Sequence, residues 1–193
     1  LKKRRILFVN EEQLDEEQVE FVRQYFRKEV RSRLMPLIIT RENKLPNLTD
    51  DAIYFAIQLH NSETDKKRHA LLEIPSRSIL PRFIRLPGKK GNRYVIFLDD
   101  IIRWGLKEIF SILPFDEISA YTIKVTRDAE LEIADDISVS YIDKLSRSLQ
   151  QRKKGSPVRF VHDRDIPAEF LKILTKKLNL GSDDVMMPGN RYH

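Results

Sequence analysis

The sequence predicts an α+β fold: a largely antiparallel sheet packed with about four helices in a single domain. Three observations carry that prediction. Residues 119–126 alternate, with Ala120, Thr122, Lys124 and Thr126 on one side and Tyr121, Ile123 and Val125 on the other, the period of a half-buried strand. Val19, Val22, Phe26 and Val30 recur three and four residues apart, the period of one helical face. Strand and helix patterns then succeed one another without a regular strand–helix–strand rhythm, which argues for a mixed rather than a wholly parallel sheet. A chain of 193 residues, 41% of them hydrophobic, is long enough to bury one core and too apolar to be globally disordered.

In chain order, residues 4–9 read as a short strand. Asp15 opens a helix, with Gln18 at capping-box spacing. Glu16, Glu17 and Glu20 come early in that helix and Arg27, Lys28, Arg31 and Arg33 late, complementing its dipole until Pro36 stops it. Leu37–Thr40 is a strand and the polar residues 41–52 a loop. Tyr54–His60 and His69–Ile74 form a hairpin across NSETDKKR. His60 and His69 flank it as neutral surface histidines, because no third ligand is spaced to complete a metal site.

Residues 75–93, with three prolines, read as a long irregular connection around Phe83-Ile84. Its tip, PGKKGNR, lacks the GxxxxGK[ST] pattern of a phosphate-binding loop. Tyr94–Leu98 is a strand, and Asp99 or Asp100 caps the next helix. Ile102, Leu106, Ile109, Phe110 and Leu113 are its inner face, with Trp104 off that stripe at a domain or subunit contact or at the core's edge. The strand at 119–126 ends in the charged cluster Thr126-Arg127-Asp128, which can face an anion or close on itself as an ion pair. A helix then runs to about Gln151, Gly155–Pro157 turns, and Val158–His162 is a strand with Arg159 and His162 on opposite faces. Pro167 opens a last helix whose inner face is Phe170, Leu174 and Leu178, and the tail MMPGNRYH is irregular.

Composition excludes several functions. With no cysteine there is no disulfide framework, thiol nucleophile or thiolate metal site. No run of about 18 apolar residues spans a membrane. The net charge of +6 is concentrated in residues 77–93 and 144–162, each carrying six basic residues and no acid. Such segments suit an anionic partner, or simply keep two loops solvated. A nucleic-acid-binding module using both segments is the alternative function, although Tyr and Phe do not alternate with the basic runs in the manner of RNA-binding surfaces, each segment holding a single aromatic residue, Phe83 or Phe160. No nucleophile, base and orienting group stand together as in a hydrolase. A chain starting at Leu1 and stopping at His193 is expected to be a piece of a longer protein.

Six strings taken together are more specific. ILFVNEEQL with the helix up to RLMPLII, HALLEIPS with LPRFIRLP, VIFLDDIIRWGLKEIF, AYTIKVTRDAELE, SPVRFVHDRDIP and PGNRYH, in that order, resemble the middle, or head, domain of bacterial ATP-dependent polyphosphate kinase. The resemblance implies that residues 1–185 are that domain and that 186–193 begin a linker to the catalytic domains. It implies a four-domain, homo-oligomeric, cytoplasmic parent enzyme, able to associate with a membrane, that uses ATP and Mg2+ to transfer the terminal phosphate of ATP reversibly to polyphosphate. The middle domain would serve dimer and domain assembly and border the polyphosphate tunnel. The phospho-accepting histidine and most nucleotide contacts would lie in the later domains. His193 belongs to the boundary string PGNRYH, so no catalytic residue, metal ligand or bound cofactor is expected in this chain. A guanidinium grips phosphate oxygens in bidentate fashion, and a strand end holds it better than a loop tip holds Lys89 or Lys90. On that ground Arg127, Arg159 and Arg191, then Arg164, are the expected polyphosphate contacts.

Overall fold

A computed structural model describes residues 6–88, 91–127, 158–182 and 184–192. The chain folds as two compact units, Leu1–Ile39 with Phe55–Ala120, and Thr40–Tyr54 with Tyr121–His193. Neither unit is a contiguous stretch of sequence, as fits the single α+β domain expected.

The first unit begins with β1 (Ile6–Phe8) and α1 (Glu16–Tyr25). The capping box forms: the Gln18 backbone N–H donates to Asp15 at 2.9 Å, and the Asp15 N–H donates to the Gln18 side chain at 3.2 Å. The helical rod continues as a π turn over Phe26–Val30 and a 3-10 turn over Arg31–Arg33. Val22, Phe26 and Val30 are fully buried, as their spacing requires. β2 (Leu37–Ile39) pairs antiparallel with β4 (Lys66–Glu73), which neighbours β3 (Ile53–Asn61). The β3–β4 hairpin extends into NSETDKKR and turns at Asp65, whose φ of 53° is the left-handed conformation that aspartate tolerates.

A separate three-stranded sheet has the order β1-β6-β5, from β5 (Phe83–Leu86) and β6 (Arg93–Phe97). The expected irregular connection therefore contains a strand. Pro81 and Pro87 lie outside it, one on each side, where a missing N–H costs no ladder bond. α2 (Leu98–Ile109) follows β6 directly, with Phe97 at the N-cap and no side-chain cap. Asp99 and Asp100 are thus inside the first turn rather than capping it, and both are fully buried. On the inner face Ile101, Ile102, Leu106 and Phe110 are buried, while Ile109 and Leu113 are half-buried. Gly105 is there because the Phe26 ring lies against it: a Cβ at this position would overlap the ring. Trp104 is half-buried, edge-on to Phe26 at 6.1 Å.

In the second unit β7 (Glu117–Arg127, entering this unit at Tyr121) pairs antiparallel with β8 (Val158–Asp163). After β8 comes α3 (Ala168–Lys177), with Pro167 at its N-cap, and then β9 (Val185–Gly189), which pairs parallel with β8. The tail expected to be irregular therefore adds a strand through MMPG. Its proline is tolerated because β9 is the last strand of the order β7-β8-β9. Phe170 and Leu174 of α3 and Ile123 and Phe160 of the strands are almost wholly buried. The expected helix ending near Gln151, the turn at Gly155–Pro157 and most of the second basic segment lie outside the described residues.

Candidate functional site

The β7–β8–β9 ladder decides where the four candidate arginines stand. Arg127 is the last residue of β7; its backbone is opposite Val158, and Thr126 is opposite Arg159. Arg127 and Arg159 therefore belong to one end of the ladder. The Arg127 side chain lies outside the described residues. Arg159 is exposed, and His162, three residues on, is buried, so the two take opposite faces as the alternation predicts.

Arg164 and Arg191 belong to the other end. Because β8 and β9 are parallel, the residues just after each emerge on the same side. Arg164 donates from Nε to the Gly189 carbonyl at 3.3 Å and from Nη2 to Asn190 Oδ1 at 3.1 Å. Arg191 is half-buried, its guanidinium 5.8 Å from the Tyr192 ring centre. The hydroxyl of buried Thr122, on β7, donates to the Arg191 carbonyl at 2.6 Å and fixes the backbone there. Arg159 and Arg164 are five residues apart, about 16 Å along an extended chain. The four arginines thus form two pairs at opposite ends of the ladder.

The charged cluster at the end of β7 has a partner that sequence proximity did not suggest. Asp51 accepts from Lys124 Nζ at 2.9 Å and from the Thr126 hydroxyl at 3.2 Å. The Lys124 hydrogen bond, then its charge and the Thr126 bond, lower the Asp51 pKa. On α3, Lys177 donates to the carbonyls of Arg41 and Asn43, fastening the 41–52 loop.

Two charged groups in the first unit went unread. Arg82 Nη2 meets Asp99 Oδ2 at 3.0 Å, and Arg103 Nη1 meets Asp100 Oδ1 at 3.1 Å. Arg103 also lies 4.4 Å over the Phe55 ring. Both carboxylates are fully buried and face arginine, the arrangement of structural ion pairs. The second group corrects the reading of His60 as a neutral surface histidine. Its Nδ1 lies 2.6 Å from Glu117 Oε2 and its Nε2 2.9 Å from Asp65 Oδ1. Two carboxylate acceptors call for two N–H donors, which only the imidazolium has. The bonds to Glu117 and then Asp65 raise the His60 pKa. His69 differs: burial first, and then Lys67, lower its pKa. Only Asp65 could have been suspected from sequence, five residues away across a turn; Glu117 is brought in by β7. Among the described residues, no three His, Asp or Glu side chains converge as a metal site.

The family model for the polyphosphate kinase middle domain matches residues 17–193. The chain belongs to that family. It is 42% identical to a polyphosphate kinase of Vibrio parahaemolyticus over 99% of its own length, and 38% identical to one of Escherichia coli K12 over 97%. In each case it spans only 28% of the relative. A crystal structure of polyphosphate kinase from Porphyromonas gingivalis has the same fold over 97% of this chain and 26% of that one, with a TM-score of 0.73 at 24% identity. The α+β architecture of this chain is thus that of a solved polyphosphate kinase. Among its described residues, no helix is long and apolar enough to cross a membrane.

Proposed function

We propose that this chain is the non-catalytic middle domain of an ATP-dependent polyphosphate kinase, serving domain assembly and guiding the polyphosphate product. The observation that carries the reading is the family match over residues 17–193, supported by curated polyphosphate kinases about 40% identical over nearly the whole chain. ATP and Mg2+ act elsewhere in the enzyme on this reading. The cytoplasmic location, the homo-oligomeric state and the bordering of a product tunnel belong to the same reading and rest on the family resemblance.

The arginine pairs give the reading its chemistry. Arg127 with Arg159 and Arg164 with Arg191 stand about 16 Å apart along β8. A single phosphate is too small to span the two ends of the ladder; a polyanionic chain with a charge on every unit is long enough to reach both. The bonds to Gly189 and Asn190 hold the Arg164 guanidinium before the ligand arrives, so less order is lost there on binding. Binding of the chain to polyphosphate and to single-stranded RNA, measured at several salt concentrations, tests the guidance role. Polyphosphate is expected to bind more tightly, with a salt slope reduced in Arg159→Ala and Arg164→Ala. Equal, steeply salt-dependent affinity for both polyanions would reduce the arginines to nonspecific charge and weaken both the guidance role and the nucleic-acid alternative.

A further inference from the structure

The β1–β6–β5 sheet carries apolar side chains on both faces. Ile84, Leu86 and Ile96 point inward and are buried. On the opposite face Phe8, Phe83 and Phe97 form one cluster, with ring centres 5.0 to 6.2 Å apart. The ladder sets Val95 opposite Phe8, beside them. Phe8 is 45% exposed and Phe83 50%, although each belongs to a strand whose register is fixed. A three-stranded sheet with a solvated side ordinarily carries polar residues there. Arg85 and Arg93 are exposed at this face, in a segment, 77–93, that contains no acid.

We propose that this aromatic face is covered by a flanking segment of the same polypeptide, one that presents apolar side chains ringed by carboxylates. The proposal rests on the polyphosphate kinase reading above. The relatives that match this chain are more than three times its length, so they contain ample polypeptide beyond the matched region. Three phenylalanines make too small a patch to hold a separate protein firmly. A tethered segment meets the patch at an effective concentration in the millimolar range, which makes a modest apolar contact sufficient. Basic residues with no acid among them select an acidic rim on the covering segment.

Photocrosslinking in the full-length enzyme tests this. Photoreactive benzoylphenylalanine replaces Phe83, and heavy-isotope and normal chains are mixed before irradiation. The expected crosslinks run from position 83 to peptides outside this 193-residue region, always within one isotopic chain. In a second variant, Arg85→Glu with Arg93→Glu, their yield should fall severalfold. Products pairing heavy with normal chains would identify a second copy as the occupant, and a lack of crosslinks would leave the face open; either result overturns the proposal. Polyphosphate synthesis is assayed in parallel. Crosslinks without synthesis would sink the functional reading and keep the docked face, and synthesis without crosslinks would do the reverse.

Discussion

Asp99 and Asp100 are adjacent, wholly buried, and each faced by an arginine from a different position in the chain. Removing one partner of such a pair strands a charge in the core, which costs far more than an exposed ion pair contributes. Arg82→Ala should therefore lower the unfolding free energy by about 3–5 kcal/mol in a urea titration. A loss below about 1 kcal/mol would mean that Asp99 is not held as an ion. The histidines supply a pH test with opposite signs. His60 has a raised pKa, so its stabilisation is complete below the unfolded value of about 6.5 and is lost as pH rises through the folded value. His69 has a lowered pKa, so its contribution is complete above about 6.5 and is lost as pH falls toward the folded value. Nuclear magnetic resonance titration should find His60 deprotonating at higher pH than His69; the reverse order would contradict both sites. Few of these partnerships were legible in the sequence: Asp65 lies five residues from His60 across a turn and Arg103 one helical turn from Asp100, but Glu117 and Arg82 arrive only with the fold. An aspartate before a helical pattern reads as a cap, and only the fold reveals that Arg82 takes up Asp99.

Local elements were legible where their determinants are local. Asp15 and Gln18 are three residues apart, and the capping box forms as their spacing predicts. Asp15→Ala should cost about 1 kcal/mol in thermal or urea unfolding. Gly105→Ala tests a tertiary contact instead. Its new methyl group meets the Phe26 ring, and overpacking of this kind costs about 1–3 kcal/mol despite the better helix propensity of alanine. A neutral or stabilising result would place the α1 rod farther from α2. β5 and β9 escaped the sequence reading for a shared reason. Prolines flank one and interrupt the other, and the partner that makes β9 a strand lies 26 residues back in β8. The parallel β8–β9 pair in particular depends on α3 carrying the chain back across the ladder, which no short window of residues displays.

For the whole molecule, the fold class and the family were readable because they draw on many residues at once: apolar periodicities set the α+β pattern, and six strings in order set the family. The candidate site was only partly readable. Sequence chose the arginines by their strand-end positions, but the pairing register divides them into two groups, and Thr122, Gly189 and Asn190 hold one group in place. The central claim is that this domain guides polyphosphate without performing the phosphoryl transfer. Its most direct measurement is ATP-dependent chain elongation by the full-length enzyme carrying Arg127→Ala with Arg159→Ala. The account predicts shorter products and a weaker salt dependence, with the enzyme's phosphorylation by ATP retained. Product length and salt dependence unchanged from wild type would contradict it.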